Sequence, residues 1–182
     1  MSKAKTTKTV KAVKTIKAAK AAVVMGSDSD LAVLKDCIKT LKQFEVEVEA
    51  MVCSVHRTLD KAAEFAKNAE DNGFDIIIAG AGKAAHLPSI LAAYTPLPVI
   101  GVPIKSSALD GLDSLLSVAQ MQSGIPIATV AIDGAENAAL LAVQVLSIGY
   151  SELRDKMKEY KKKLAKKVEE KNEALQEKIK DI

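Results

Sequence analysis

Residues 75–89 read DIIIAGAGKAAHLPS, and this stretch decides the fold. An acidic residue opens a run of three isoleucines, and a glycine-rich turn closes it. A short apolar run bounded in this way is a strand buried on both faces. The following HLPSILAAYT (86–95) has the spacing of a short helix. The same alternation extends in both directions. Upstream, AAVVMG (21–26) is an apolar run ending in glycine. In SDSDLAVLKDCIKTLKQF (27–44), Leu31, Val33, Leu34, Cys37, Ile38 and Leu41 recur at helical spacing behind the cap candidates Ser27 and Ser29. EVEVEAMV (45–52) alternates with period two, as a strand does, and TLDKAAEFAKNAEDNG (58–73) is a helix stopped at Asn72-Gly73. Downstream, PVIGVPI (98–104) and IPIATVAI (125–132) are strands, while 111–121 and 135–149 are helices.

Five strands alternating with helices predict an α/β, three-layer parallel sheet of flavodoxin-like or Rossmann-like layout. Sequence alone leaves the strand order open. Ligands of such sheets bind beyond the carboxyl ends of the strands. The turns that matter are therefore 25–30, 53–58, 79–87, 103–113 and 132–137.

Both ends of the chain differ from this body. Residues 1–20 hold seven lysines and no acid, which leaves 19 basic residues against 23 acidic ones elsewhere, a balance of −4. The body is thus mildly acidic, and the net charge of +3 belongs to a low-complexity tail expected to be disordered. Nonspecific contact of that tail with nucleic acid or an anionic surface is the competing expectation. Residues 21–150 form the α/β domain. Residues 151–182 are heavily charged, with Leu153, Met157, Tyr160, Leu164, Val168, Leu175 and Ile179 on one stripe. A helix of this length spans about 45 Å, more than a domain of this size needs, so it is expected to pack on a neighbouring subunit. No apolar run approaches the ~20 residues of a membrane span. Cys37 and Cys53 form no metal or disulfide pattern, which fits a cytoplasmic setting.

The glycine-rich turn fails two familiar tests. Gly82-Lys83 is followed by Ala84 and lacks the distal glycine, so no Walker loop is present. Gly80, Gly82 and Ala85 match G-x-G-x-x-A, but the next strand ends in proline and isoleucine rather than in a ribose-reading acid. Elsewhere, MGSDSD (25–30) places small hydroxyl residues at a helix mouth, suited to one phosphate plus sugar hydroxyls or to ordinary capping. CSVHRT (53–58) places His56 beside Arg57. An arginine can anchor a phosphate while an imidazole moves protons near neutral pH. The only two histidines, His56 and His86, both follow predicted strands, which puts them at the same edge of the sheet. No metal-binding cluster and no serine-hydrolase elbow occurs.

Taken together, VVMGSDSDL, SVHRTLDKAAEF, DIIIAGAGKAAHLPS, PVIGVPIKSSALDGLDSLLSVAQMQSGIPIATVAI and NAALLA, in order over roughly residues 21–150, resemble the PurE family of purine biosynthesis. The likeness is closest to class I, the 5-(carboxyamino)imidazole ribonucleotide mutases. It implies a flavodoxin-like homo-octamer without metal or organic cofactor. It also implies transfer of a carboxylate from the exocyclic nitrogen to ring carbon 4 through carbon dioxide trapped in a closed pocket. By this resemblance His56 is the general acid/base. Phosphate and ribose contacts fall on Ser27, Asp30 and Arg57, with Gly26 beside them. Ser54 and the turn residues Ala81, Gly82, Lys83, Ala84, His86 and Leu87 line the base and the carbon dioxide.

The departures from the family pattern are Val55, Leu59, Lys83, Ser89, Gln122 and Ser123. Lys83 stands where the family has glycine. Class II relatives, which carboxylate the ribonucleotide directly, carry arginine near this position. Two alternatives therefore stay open: a class II-type carboxylase, or an impaired or engineered oligomeric scaffold with Lys83 filling the site.

Overall fold

A computed structural model of the chain describes residues 18–107 and 109–180. The basic tail, up to residue 17, lies outside the described residues. Strands β1 (Lys20–Met25), β2 (Glu47–Val52), β3 (Ile76–Gly82), β4 (Val99–Ile104) and β5 (Ala128–Thr129) form one parallel sheet in the order β2-β1-β3-β4-β5. Helices α1 (Leu31–Gln43), α2 (Leu59–Asn68), α3 (Leu87–Tyr94), α4 (Leu112–Ala119), α5 (Ala135–Leu146) and α6 (Ser151–Ile179) complete the domain. This is the flavodoxin-like order.

Side chains alternate across a strand, so each strand feeds two cores. Ala21, Val23, Met25, Ile76, Ile78, Ile100 and Val102 meet α1, α5 and the start of α6. Ala22, Val24, Ile77, Ala79 and Val99 meet Ala62 and Ala66 of α2, Leu91 of α3 and Val118 of α4. The isoleucine run therefore serves both layers, and all three residues are fully buried. Each contributes about 1.5–3 kcal/mol relative to exposure. The chain leaves β1 for β2, then crosses back over β1 to reach β3. That reversal opens a crevice at the carboxyl ends of β1 and β3.

Several element ends are trimmed from expectation: β2 begins at Glu47 rather than 45, α2 ends at Asn68 rather than 73, and α5 ends at Leu146 rather than 149. Two further boundaries have a local cause. β1 begins at Lys20, one residue before the predicted run. Its ammonium pairs with Glu49 at 2.6 Å and lies 4.3 Å from the centre of the Phe74 ring, while its N–H donates to Asp75 Oδ2 at 2.8 Å. The predicted strand 125–132 shrinks to Ala128–Thr129. Gly101 and Pro103 both turn their carbonyls toward this segment, accepting from Val130 N–H and Asp133 N–H. Pro103 has no N–H to return, so the ladder ends there.

Helix α6 covers about 43 Å over its 29 residues. Leu153 and Met157 are buried, and Tyr160 donates to Glu136 Oε1 at 3.0 Å and packs against Phe44. Beyond it the stripe leaves the domain: Leu164, Val168, Leu175 and Ile179 are all exposed. No helix among the described residues is long and apolar enough to cross a membrane.

Candidate active site

The crevice at the carboxyl edge holds a cavity of about 530 Å³. Three turns build most of it. After β1, Gly26 N–H donates to Gly80 O at 3.1 Å and holds the first turn against β3. Ser27 then caps a 3₁₀ turn, Asp28–Asp30, in a reciprocal box. Its hydroxyl accepts from Ser29 N–H, and its own N–H donates to Asp30 Oδ2 at 3.0 Å. Burial pushes the Asp30 carboxyl above its ordinary range, and the neighbouring Asp28 adds to this. Hydrogen bonds from the Ser27 and Gly26 backbone oppose the shift.

After β2, Ser54 O accepts from the N–H groups of Arg57 (3.0 Å) and Thr58 (2.6 Å) and from the Thr58 hydroxyl (2.9 Å). This tight turn throws His56 and Arg57 outward, and Arg57 Nε donates to Ser54 Oγ at 3.3 Å. After β3, Ala85 N–H donates to Gly82 O, and Lys83 and Ala85 take positive φ of 56° and 37°. For a residue with a Cβ, such a conformation costs about 1 kcal/mol. The turn delivers His86 to His56: His56 Nε2 and His86 Nδ1 lie 2.9 Å apart, with ring planes at 72°.

Gly26, Ser27, Asp30, Ser54, His56, Arg57, Ala81, Gly82, Lys83, His86 and Leu87 all line the cavity. Ala84 does not; it is exposed outside the lining. Lys83 sits in the wall and leaves the cavity open. The glycine fingerprint has a packing origin at its first position: a Cβ on Gly80 would meet Leu34 Cδ1 at 2.7 Å. Ala85, inside the expected turn 81–87, lines the cavity as well, while sequence reasoning missed Ser29, Val55, Ile104, Lys105, Ser106 and Ser107 in the wall. The last three follow β4 at an edge marked for inspection, but their residue types carried no chemical signal. Lys105 N–H donates to Asp133 Oδ1, its ammonium pairs with Asp110 at 3.0 Å, and Ser106 donates to Asp113. Among the described residues, no three His, Cys, Asp or Glu side chains gather as a metal ion would require.

This arrangement can seat one phosphate at a hydroxyl-rich turn beside a guanidinium, and it can move a proton through a paired imidazole. Residues 20–167 match the family model described as AIR carboxylase. The N5-carboxyaminoimidazole ribonucleotide mutase of Pyrococcus horikoshii is 58% identical over 85% of this chain and 88% of the relative. That of Thermotoga maritima is 52% identical over 85% and 91%. Among solved structures, Treponema denticola PurE superposes with a TM-score of 0.77 at 28% identity, covering 86% of this chain and 98% of that one. The chain belongs to the AIR carboxylase family, the PurE family its motifs resemble.

Proposed function

We propose that the chain is a 5-(carboxyamino)imidazole ribonucleotide mutase of purine biosynthesis, an isomerase that moves a carboxylate from the exocyclic nitrogen to ring carbon 4. One observation carries this reading: the hydrogen-bonded His56–His86 pair shares a cavity with Ser27, Asp30 and Arg57. The phosphate binds Ser27 and Arg57, and the ribose hydroxyls bind Asp30, whose carboxylate can accept from them. Gly26 and Ser54 support that end, and Ala81, Gly82 and Leu87 wall the base.

The proton balance is internal. Loss of carbon dioxide from the nitrogen requires one proton there, and its recapture by carbon 4 releases one. His56 donates the first and accepts the second, so a single imidazole returns to its starting state. Carbon dioxide must stay in a dry pocket between the two steps, and the apolar wall of Val55, Ala81, Ile104 and Leu87 suits that.

The assembly is a homo-octamer in which the distal part of α6 packs on a neighbouring subunit; the exposed Leu164, Val168, Leu175 and Ile179 support this. The setting is cytoplasmic, in keeping with two free buried thiols. The test is a paired turnover assay. One arm offers the carboxyamino ribonucleotide; the other offers the uncarboxylated ribonucleotide with bicarbonate. Turnover in the first arm, abolished in His56→Asn, is expected. Efficient turnover in the second arm alone would make the protein a direct carboxylase, and silence in both would remove the catalytic reading.

A further inference from the structure

Three cations line the cavity, and they are not equivalent. Lys105 is paired with Asp110, and Arg57 leans on Ser54. Lys83 has neither an ion pair nor a hydrogen bond among the described residues. It is nevertheless held at the wall by a left-handed backbone (φ 56°) that glycine would adopt with less strain. It lies three residues before His86, in the turn that carries the histidine pair, whereas Ser27 and Arg57 come from the turns after β1 and β2. A carboxylated ribonucleotide brings two anions to this cavity. In the mutase reading its phosphate takes Ser27 and Arg57, and its carboxylate moves at the histidine end, where the protons are exchanged.

Resting on the mutase reading above, we infer that Lys83 is a specificity residue whose ammonium binds the migrating carboxylate and selects carboxylated over uncarboxylated ribonucleotide. The charge logic makes this more than a general gain in affinity. Substrate and product are both carboxylates, while the intermediate between them is neutral carbon dioxide beside the bare ring. A cation here favours the two end states and gives less to the charge-losing transition state. It therefore lowers KM without raising kcat.

The experiment is titration calorimetry on the full chain and on Lys83→Met, Lys83→Gly and Lys83→Arg. The two probes are 5-amino-4-carboxyimidazole ribonucleotide and 5-aminoimidazole ribonucleotide. Loss of one charge-assisted contact is expected to weaken the carboxylated probe about tenfold in the Met and Gly variants. The Arg variant should stay within about threefold, because it keeps the cation, and the uncarboxylated probe should be unchanged throughout. The KM of the carboxyamino substrate should rise in Lys83→Met with no fall in kcat. Lys83→Gly relieves the positive φ, so misfolding cannot imitate this pattern. Equal weakening of both probes, or of neither, overturns the inference. A wild-type chain that binds neither probe would instead overturn the ribonucleotide reading, and the two failures are distinguishable.

Discussion

Helix α4 rests directly on strand β4, and Gly101→Ala tests that contact. A Cβ at Gly101 would fall 2.3 Å from Val118 Cγ1 and 3.1 Å from Ile127 Cγ2. The first gap is 1.1 Å short of the 3.4 Å at which ordinary contact begins. Val118 is fully buried, and a β-branched residue in a helix has one strongly preferred χ1, so it cannot swing aside. The helix itself must yield. Overpacking of this kind costs about 2–3 kcal/mol. Val118→Ala leaves a void and costs about 2 kcal/mol alone. In the double variant the new methyl enters that void, so the total should stay near 2 kcal/mol, well below the roughly 4–5 kcal/mol of an additive pair. The assay is urea unfolding at one protein concentration, which removes any dependence of the midpoint on self-association. The site should respond too. Ser114 Oγ shares its one proton between Ile104 O (2.9 Å) and Gly111 O (2.8 Å), so moving α4 disturbs Ile104 in the cavity wall and weakens ligand binding. A Gly101→Ala variant of unchanged stability, or a double variant whose loss is the sum of the singles, would refute the reasoning.

The other predictions concern charge, thiol chemistry and assembly. The Asp30 carboxyl is raised by burial, so the folded chain holds that proton more tightly than the unfolded one. Its ionised form therefore costs stability at neutral pH, and the cost disappears as pH falls through the raised value toward the ordinary 3.8. Asp30→Asn should melt no lower than the wild type near neutral pH, flatten the melting profile over that window, and bind ribonucleotide more weakly; a lower neutral-pH melting temperature would contradict this. Burial pushes the Cys37 thiol up to about 12, and the thiolate is the nucleophile, so iodoacetamide should label Cys37 only as fast as the chain unfolds. Rapid labelling of the native protein, located by peptide mass, would rule this out. Val168→Lys with Leu175→Lys should lower the sedimentation mass while leaving helicity intact, since both residues are exposed on α6. An unchanged mass would mean that the distal helix is not part of the assembly.

Much of this molecule was legible from local pattern. Period-two and helical spacing identified the elements, because each strand and helix must turn its apolar residues inward whatever its neighbours are. The run at Ile76, Ile77 and Ile78 announced a strand covered on both faces, and both cores use it. His56, Arg57, Ser27 and Asp30 were visible because their types and turns carried chemistry. Two boundary errors had local causes that pattern could not weigh. Pro103 lacks the N–H that would extend β5, and Lys20 is drawn into β1 by Glu49, Asp75 and Phe74.

Only the tertiary structure decided the strand order and what it brings together. The reversal at β1 and β3 places turns from residues 26, 54 and 83 around one cavity, and packing rather than local propensity chooses which strands are neighbours. The same reversal sets His56 Nε2 against His86 Nδ1 across 30 residues of chain. It puts Lys105, Ser106 and Ser107 into the wall although their residue types marked no role there, and it leaves Ala84 outside although the motif included it. Sequence determined which residues could do chemistry, because that depends on side-chain type. Structure decided which of them meet, because that depends on contacts between segments far apart in the chain.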